Sequence, residues 1–367
     1  MCASPIRVLF DGEIFAIHRH GGISRYFVEL LKRLPRFGVI PQLVVPITLN
    51  EHLATAPEIY CGFGLPGLRI RGGIRLTTLV SRCSDQFVPK LLPHDLVHHT
   101  FYSREAISSK PAVCTIVDMI PEVLPHEFPL GDPHQGKFEM ARRCGGVIAI
   151  SESTKSDILR LMPGFKAKLA VIPLAVDAAQ FRSLSRAPAK VMGDYILFVG
   201  NRAGYKNFDR FSEAAAAILA SNEGLRLVCA GGTRLTERET LPFREAGVLQ
   251  RVEHRHVTDE QLASLYRGAS CFIFPSLYEG FGLPILEAFA LESPIAVSDI
   301  PCFREVAGDA ALYFDPKNVD SIREAITELL AHGNLRRDLI VNGSKRLAEF
   351  SWDRTAELTA RFYREFV

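Results

Sequence analysis

The run Phe274-Pro275-Ser276-Leu277-Tyr278-Glu279-Gly280-Phe281-Gly282-Leu283-Pro284-Ile285-Leu286-Glu287-Ala288 joins an apolar strand to a helix through a loop carrying two glycines. Such a turn belongs at the carboxyl edge of a parallel sheet. There glycine lets the backbone approach a ligand, and the helix directs its N–H groups and positive end toward an anion. The same alternation extends on both sides. Apolar runs at 195–200 (YILFVG), 226–230 (RLVCA), 270–275 (SCFIFP), 294–298 (PIAVS) and 311–314 read as buried strands, with helical stretches such as 207–221 and 259–268 between them. An equivalent series opens the chain at 6–10 (IRVLF), 40–47 (IPQLVVPI), 95–99, 112–117 (AVCTIV), 146–150 (GVIAI) and 169–173. The expected architecture is therefore α/β, with two Rossmann-like doubly wound domains.

At 367 residues the chain exceeds one ordinary core, in line with two lobes. The expected domains are 1–185 and 186–350, followed by a terminal helix over 351–367. The stretch Ala175 to Met192, polar and carrying VDAAQFRSLSRAPAK, has the composition of an exposed hinge. Ser151-Glu152-Ser153-Thr154 and Thr258-Asp259-Glu260 are N-capping compositions.

Hydrophobic residues at 47% and charged residues at 23% exclude intrinsic disorder, and a net charge of +2 excludes a nucleic-acid binder relying on bulk positive charge. No apolar stretch is long enough to span a bilayer, and Asp11 precedes any signal-type region, so a cytoplasmic protein is expected. The cysteines at 2, 61, 83, 114, 144, 229, 271 and 302 form no C-x-x-C pair and read as free core thiols. The histidine pairs His18/His20, His98/His99 and His254/His256 lack third and fourth ligands for zinc. Gly62-Phe63-Gly64-Leu65-Pro66-Gly67 matches a dinucleotide fingerprint in letters only. It carries a proline and runs into no helix, so it reads as a turn.

A diphosphate suits the glycine turn at 280–282. Glu279 and Glu287 repel phosphate, and their natural task is to accept hydrogen bonds from vicinal hydroxyls, one set on a sugar and one on a ribose. A nucleotide sugar offers all three groups. The alternative for each acid is a surface carboxylate or a helix-dipole partner, and for Arg202 and Lys206 a solvated loop pair.

With seven residues between Glu279 and Glu287, the E-x7-E pattern resembles the signature of the retaining glycosyltransferases of family 4, which have the GT-B fold. The resemblance extends over nearly the whole chain. It takes in Gly21-Gly22-Ile23-Ser24-Arg25-Tyr26, Asp118-Met119-Ile120-Pro121-Glu122, Ile150 to Thr154, Ile172 to Asp177, and Gly200-Asn201-Arg202-Ala203-Gly204-Tyr205-Lys206-Asn207. It implies two domains facing across a cleft, with the C-terminal helix crossing back onto the first. It further implies that Arg202 and Lys206 hold the donor diphosphate, Glu287 the ribose and Glu279 the transferred sugar. Gly280, Phe281 and Gly282 would offer backbone N–H groups to that sugar. Val257 would lie beside the base, Gly22 would reach the phosphates, and Asn201 and Leu283 would complete the donor site. Many relatives have a histidine just before the strand-end aspartate, where this chain has Val117, so Asp118 is the substitute candidate. Asp118 reads equally as a turn aspartate. The implied catalytic set is Glu279, Asp118, Arg202 and Lys206.

The chain has no D-x-D, so neither a metal nor a cofactor is expected, and the leaving-group charge falls to Arg202, Lys206 and the helix dipole. The expected partners are a nucleotide diphosphate sugar, with mannose from GDP-mannose favoured, and a saccharide or lipid-linked saccharide acceptor. A sugar-nucleotide 2-epimerase and a non-catalytic binding protein are the alternatives. The segment Arg25 to Phe37 (RYFVELLKRLPRF) reads either as a helix docked peripherally on the inner membrane face or as the packed first helix of the first lobe. Leu358, Phe362 and Phe366 form the expected stripe of the terminal helix.

Overall fold

A computed structural model of the chain describes residues 4–65, 73–102, 107–128, 136–185, 191 and 193–367. Two compact units emerge. One contains Met1–Val123, Phe128–Leu174 and Ser351–Val367, and the other Leu124–Glu127 and Ala175–Phe350.

The first unit has a parallel sheet of strands β1 (Ile6–Phe10), β2 (Val39–Thr48), β3 (Cys61–Gly64), β4 (Leu96–His99), β5 (Ala112–Ile116), β6 (Gly146–Ala149) and β7 (Lys168–Val171). Their order is β3-β2-β1-β4-β5-β6-β7. Strand β6 is buried throughout, in line with its unbroken apolar run, and β4 is equally buried although it ends in His98 and His99. The second sheet, β10-β9-β8-β11-β12-β13, is also parallel. It is formed by β8 (Tyr195–Val199), β9 (Arg226–Ala230), β10 (Val252–Arg255), β11 (Cys271–Phe274), β12 (Ile295–Ser298) and β13 (Leu312–Phe314). Helices wrap the strands of each sheet. Ser151 caps Glu152–Leu161 by accepting from Thr154 N, and Thr258 forms a reciprocal capping box with Gln261 at the head of Asp259–Gly268.

Four expectations are corrected. Gly62 and Gly64 lie in edge strand β3 and not in a turn, while Pro66 and Gly67 fall outside the described residues. Gly62 is needed there because a Cβ would meet Val45 O at 1.7 Å. The chain divides at Leu174/Ala175 and not at 185, since the helix Ala178–Leu184 buries Phe181 and sends Arg182 Nε to Ala290 O of the second unit at 3.1 Å. The rest of the expected hinge, at 186–190 and 192, lies outside the described residues. Cys114, Cys144, Cys229, Cys271 and Cys302 are buried, whereas Cys61 and Cys83 are exposed.

The terminal helix Trp352–Tyr363 belongs to the first unit, but with a rotated stripe. Trp352, Thr355, Ala356, Thr359, Ala360 and Tyr363 are buried together with Phe362, while Leu358 and Phe366 are only half-buried. Thr355 Oγ1 donates to Pro173 O at 2.8 Å, Arg36 reaches Asp353 at 3.1 Å, and the Tyr363 hydroxyl meets His98 Nδ1. The helix Gly22–Arg33 packs within the lobe, as its second helix after the short Glu13–Ile17 and not its first: Phe27, Leu30 and Leu31 are fully buried, as is Leu34 just beyond it, so the apolar stripe of 25–37 faces the core. Among the described residues, no helix is long and apolar enough to cross a membrane.

Candidate functional site

In the second sheet β8 and β11 lie side by side, and the strand order departs from them in opposite directions. Doubly wound sheets bind ligands at the carboxyl ends of such a pair, because the two following loops splay apart there. The loop after β8 carries Asn201 to Asn207, and the loop after β11 carries Pro275 to Gly282. Leu277 N donates to Tyr205 O at 2.8 Å and ties the loops together. Asn207 adopts the left-handed conformation at φ 57°. Its buried amide donates to Pro275 O at 3.0 Å and Pro316 O at 2.7 Å. This brings Lys206 Nζ to 2.6 Å from Glu279 Oε1, an oxygen that also accepts from Ser276 Oγ at 2.7 Å. The ammonium further lies 5.2 Å from the ring centroids of both Tyr205 and Phe274.

Gly282, at φ 97°, turns the chain into the helix Leu283–Ala290. A Cβ there would be strained by this φ and would meet Phe303 at 3.0 Å, so the position requires glycine. Phe281 is buried edge-on against Phe350 and stands as a prop beneath the turn. Glu287 is the sole charged residue of this apolar helix and is half-buried. The Tyr266 hydroxyl donates to Glu287 Oε2 at 3.2 Å. Tyr266 is fully buried, and burial, with the Glu287 charge adding to it, pushes its phenol well above the ordinary range, so it serves as a donor. Val257 is half-buried just after β10, Asn201 is exposed, and Leu283 begins the helix.

Arg202 does not share Lys206's partner. Its side chain is 3% exposed and all three of its nitrogens are engaged. Nε donates to Glu239 Oε1 at 2.7 Å, Nη1 to Gly231 O at 3.3 Å, and Nη2 to the carbonyls of Thr233 and Arg234. Burial tends to raise the Glu239 pKa. Hydrogen bonds from Thr236 and Arg202 outweigh it and hold the carboxyl below its ordinary value. In this arrangement Arg202 clamps the loop after β9 to the capping box Thr236–Glu239.

In the first unit Gly22 opens the helix Gly22–Arg33, with Gly21 as N-cap. Asp118 follows β5 and accepts from Ile120 N at 3.0 Å, the turn geometry. It also accepts from Lys137 Nζ at 3.0 Å. Lys137 is fully buried, reaches Glu122 Oε2 at 2.9 Å, and lies 5.1 Å from the Tyr102 ring centroid. Burial raises the Glu122 pKa against the pull of that ammonium. Sequence reasoning missed Lys137, because a lysine in the run GKFEMARR looks solvated. It also missed a second cluster at the switch point between β1 and β4. There Asp11 accepts from Thr100 N at 3.0 Å and meets His99 Nδ1 at 2.8 Å, all three residues being buried. The adjacent His98/His99 was the available signal.

Two family models divide almost the whole chain between them. Residues 20–180 match Glycosyltransferase Family 4, and residues 182–346 match Glycosyl transferases group 1. The chain belongs to the family 4 glycosyltransferases of GT-B fold. It is 28% identical over 231 residues to O-antigen chain mannosyltransferase B of Escherichia coli, covering 59% of this chain and 60% of that relative. The match thus spans less than two thirds of the relative's length. In fold it is similar to sucrose-phosphate synthase from Thermosynechococcus elongatus, with a TM-score of 0.72 at 19% identity over 99% of both chains. It is equally similar to the Anabaena protein HepE, solved with UDP and glucose, with a TM-score of 0.72 at 16% identity, covering 98% of this chain and 100% of that one. For this family 4 chain, the paired Lys206 and Glu279 and the Tyr266-held Glu287 are the groups placed at the sheet's switch point.

Proposed function

We propose that the chain is a retaining, metal-independent glycosyltransferase that moves mannose from GDP-mannose to a saccharide or lipid-linked saccharide acceptor in bacterial surface polysaccharide synthesis. The observation that carries this reading is the Lys206–Glu279 pair at the β8/β11 switch point, with Glu287 on the helix that follows. A diphosphate would take Lys206 as its cation and the amides about Gly280 to Leu283 as donors. Glu279, released from part of its hold on Lys206, would accept from the sugar hydroxyls, and Glu287 from the ribose. The mannose preference is supported by likeness to the O-antigen mannosyltransferase.

In the reaction the bond from the sugar anomeric carbon to the β-phosphate oxygen breaks. A bond from that carbon to the acceptor oxygen forms on the same face, and the acceptor proton passes to the departing phosphate. The products are GDP and the extended saccharide, with the anomeric configuration kept. No protein nucleophile takes part. Lys206 meets the charge that grows on the leaving group, where a low-dielectric site makes it most effective.

The experiment is a thermal-shift panel of GDP-, UDP-, dTDP- and ADP-sugars, because donor binding raises the melting temperature by mass action. It is followed by nucleotide release with and without saccharide acceptor, in the presence and absence of EDTA. Stabilisation by GDP-mannose and acceptor-dependent GDP release resistant to EDTA are expected. Nucleotide release without acceptor would favour the epimerase reading, and a product of inverted configuration would overturn the retaining assignment.

A further inference from the structure

Ser276 is fully buried, and its hydroxyl donates to Glu279 Oε1 at 2.7 Å, the length of a bond to a charged acceptor. Ser24, Ser212, Ser264 and Ser298 are also buried, and each turns its hydroxyl to a backbone carbonyl. Ser276 is directed onto a carboxylate of the candidate site instead. The backbone leaves this hydroxyl little freedom. On one side Pro275 O accepts from the Asn207 amide at 3.0 Å, and on the other Leu277 N donates to Tyr205 O at 2.8 Å. Both peptide groups flanking Ser276 are thus tied to the loop after β8, the strand that pairs with β11.

Lys206 Nζ takes the same carboxylate oxygen, at 2.6 Å. The two donors differ in how they respond to a ligand. A lysine ammonium on its flexible stem follows the strongest negative charge within reach, and a diphosphate carries more charge than a carboxylate. A hydroxyl on a pinned backbone stays where it is. When an anion draws Lys206 away, Oε1 therefore keeps Ser276 as its donor, and Oε2 remains to accept from the hydroxyls of a ligand. Without Ser276, the rotatable Glu279 side chain would follow its ammonium or swing out to water. The preorganisation that makes a placed carboxylate effective would then be lost.

We propose that Ser276 is the positioning residue for Glu279, the group that holds this carboxylate in place once a diphosphate has taken Lys206 away. The inference deepens the nucleotide-sugar reading and rests on it for the identity of the anion, but not for the placing of Glu279. Ser276 itself touches no reacting atom.

Crystal structures of Lys206→Ala and of Lys206→Ala/Ser276→Ala test the holding itself, without any ligand. Glu279 Oε1 is expected to stay within hydrogen-bond distance of Ser276 in the first and to lose its fixed place in the second. A Glu279 that swings away in Lys206→Ala, or that stays put in the double variant, overturns the proposal. Calorimetric titration with GDP-mannose and with GDP supplies the functional arm. Ser276→Ala should weaken GDP-mannose binding about tenfold and leave GDP, which brings no transferred sugar, bound as in the wild type. In a Glu279→Ala background the same substitution should weaken GDP-mannose binding by less than about twofold, because a residue acting through Glu279 then has nothing to hold. Equal losses in both backgrounds, or an equal loss for GDP, would overturn the proposal by showing that the serine acts on something else. Melting temperatures near that of the wild type confirm that the variants fold. A wild type that binds neither nucleotide would sink the donor-site reading instead, and the two crystal structures would still decide the role of Ser276.

Discussion

Lys206 Nζ and Glu279 Oε1 stand 2.6 Å apart although 73 residues separate them in the chain. Each sits on the loop that follows one of two adjacent parallel strands, and Ser276 and the Tyr205–Leu277 backbone bond hold the two loops in register. The two side chains neutralise each other's charge. A ligand carrying both phosphate and hydroxyls can replace that single contact with several.

Lys206→Ala and Glu279→Ala are each expected to lower kcat by about a hundredfold or more, since each removes charge placed where the transition state develops it. Both variants should remain folded, with a stability loss of about 1–3 kcal/mol from the partner left behind. Donor-saturated turnover beside urea unfolding checks this. Near wild-type kcat in either variant sinks the assignment.

Tyr266→Phe deletes one hydroxyl and leaves the packing intact. Loss of the bond to Glu287 should raise the donor KM by roughly fivefold, about 1 kcal/mol, while kcat changes little. Initial rates over a donor series measure the split. A fall in kcat with KM unchanged would assign Tyr266 to the chemistry and not to holding Glu287.

Lys137→Met leaves Asp118 and Glu122 facing each other without their shared cation. The expected cost is about 3–5 kcal/mol, read from the urea midpoint. Adding Glu122→Gln should recover part of it by removing one uncompensated acid. A double variant no more stable than Lys137→Met would show that the ion pair is not what the lysine contributes.

Glu13 and Asp85 give the first unit a pH dependence. Burial pushes Glu13 up to about 7 and Asp85 up to about 8, above the ordinary 4.5 and 3.8. The folded state therefore holds protons that the unfolded chain has released. This contribution to stability is complete below about pH 4 and is lost as pH rises through about 7 and 8. Asp85→Asn keeps an oxygen for Gly12 N and removes the titration. Its melting temperature relative to wild type should rise steadily from pH 5 to pH 9 when followed by calorimetry, and a difference independent of pH would refute the argument.

Much of the fold was legible because burial of a parallel strand on both faces leaves a continuous apolar run, as at Tyr195–Val199 and Cys271–Phe274. Edge strands β3 and β10 escaped notice because CGFG and VEHR carry no such run and owe their conformation to a neighbouring strand. In the site, the loop with Gly280, Gly282, Glu279 and Glu287 could be read from local spacing. Arg202 could not. Its guanidinium could serve a phosphate or a carboxylate equally well, and the choice of Glu239 depends on where β9 delivers its loop.

The sequence by itself determined the two parallel-sheet domains, the strand-to-helix turn that demands glycine at 282, and the placing of two acids on one turn and its helix. These are effects of near neighbours: periodicity, φ and helix geometry. Tertiary structure alone decided that Lys206 meets Glu279 and that Lys137 is buried between two carboxylates. Charge pairing and exposure depend on loop closure and sheet order, which bring together residues that no local pattern connects.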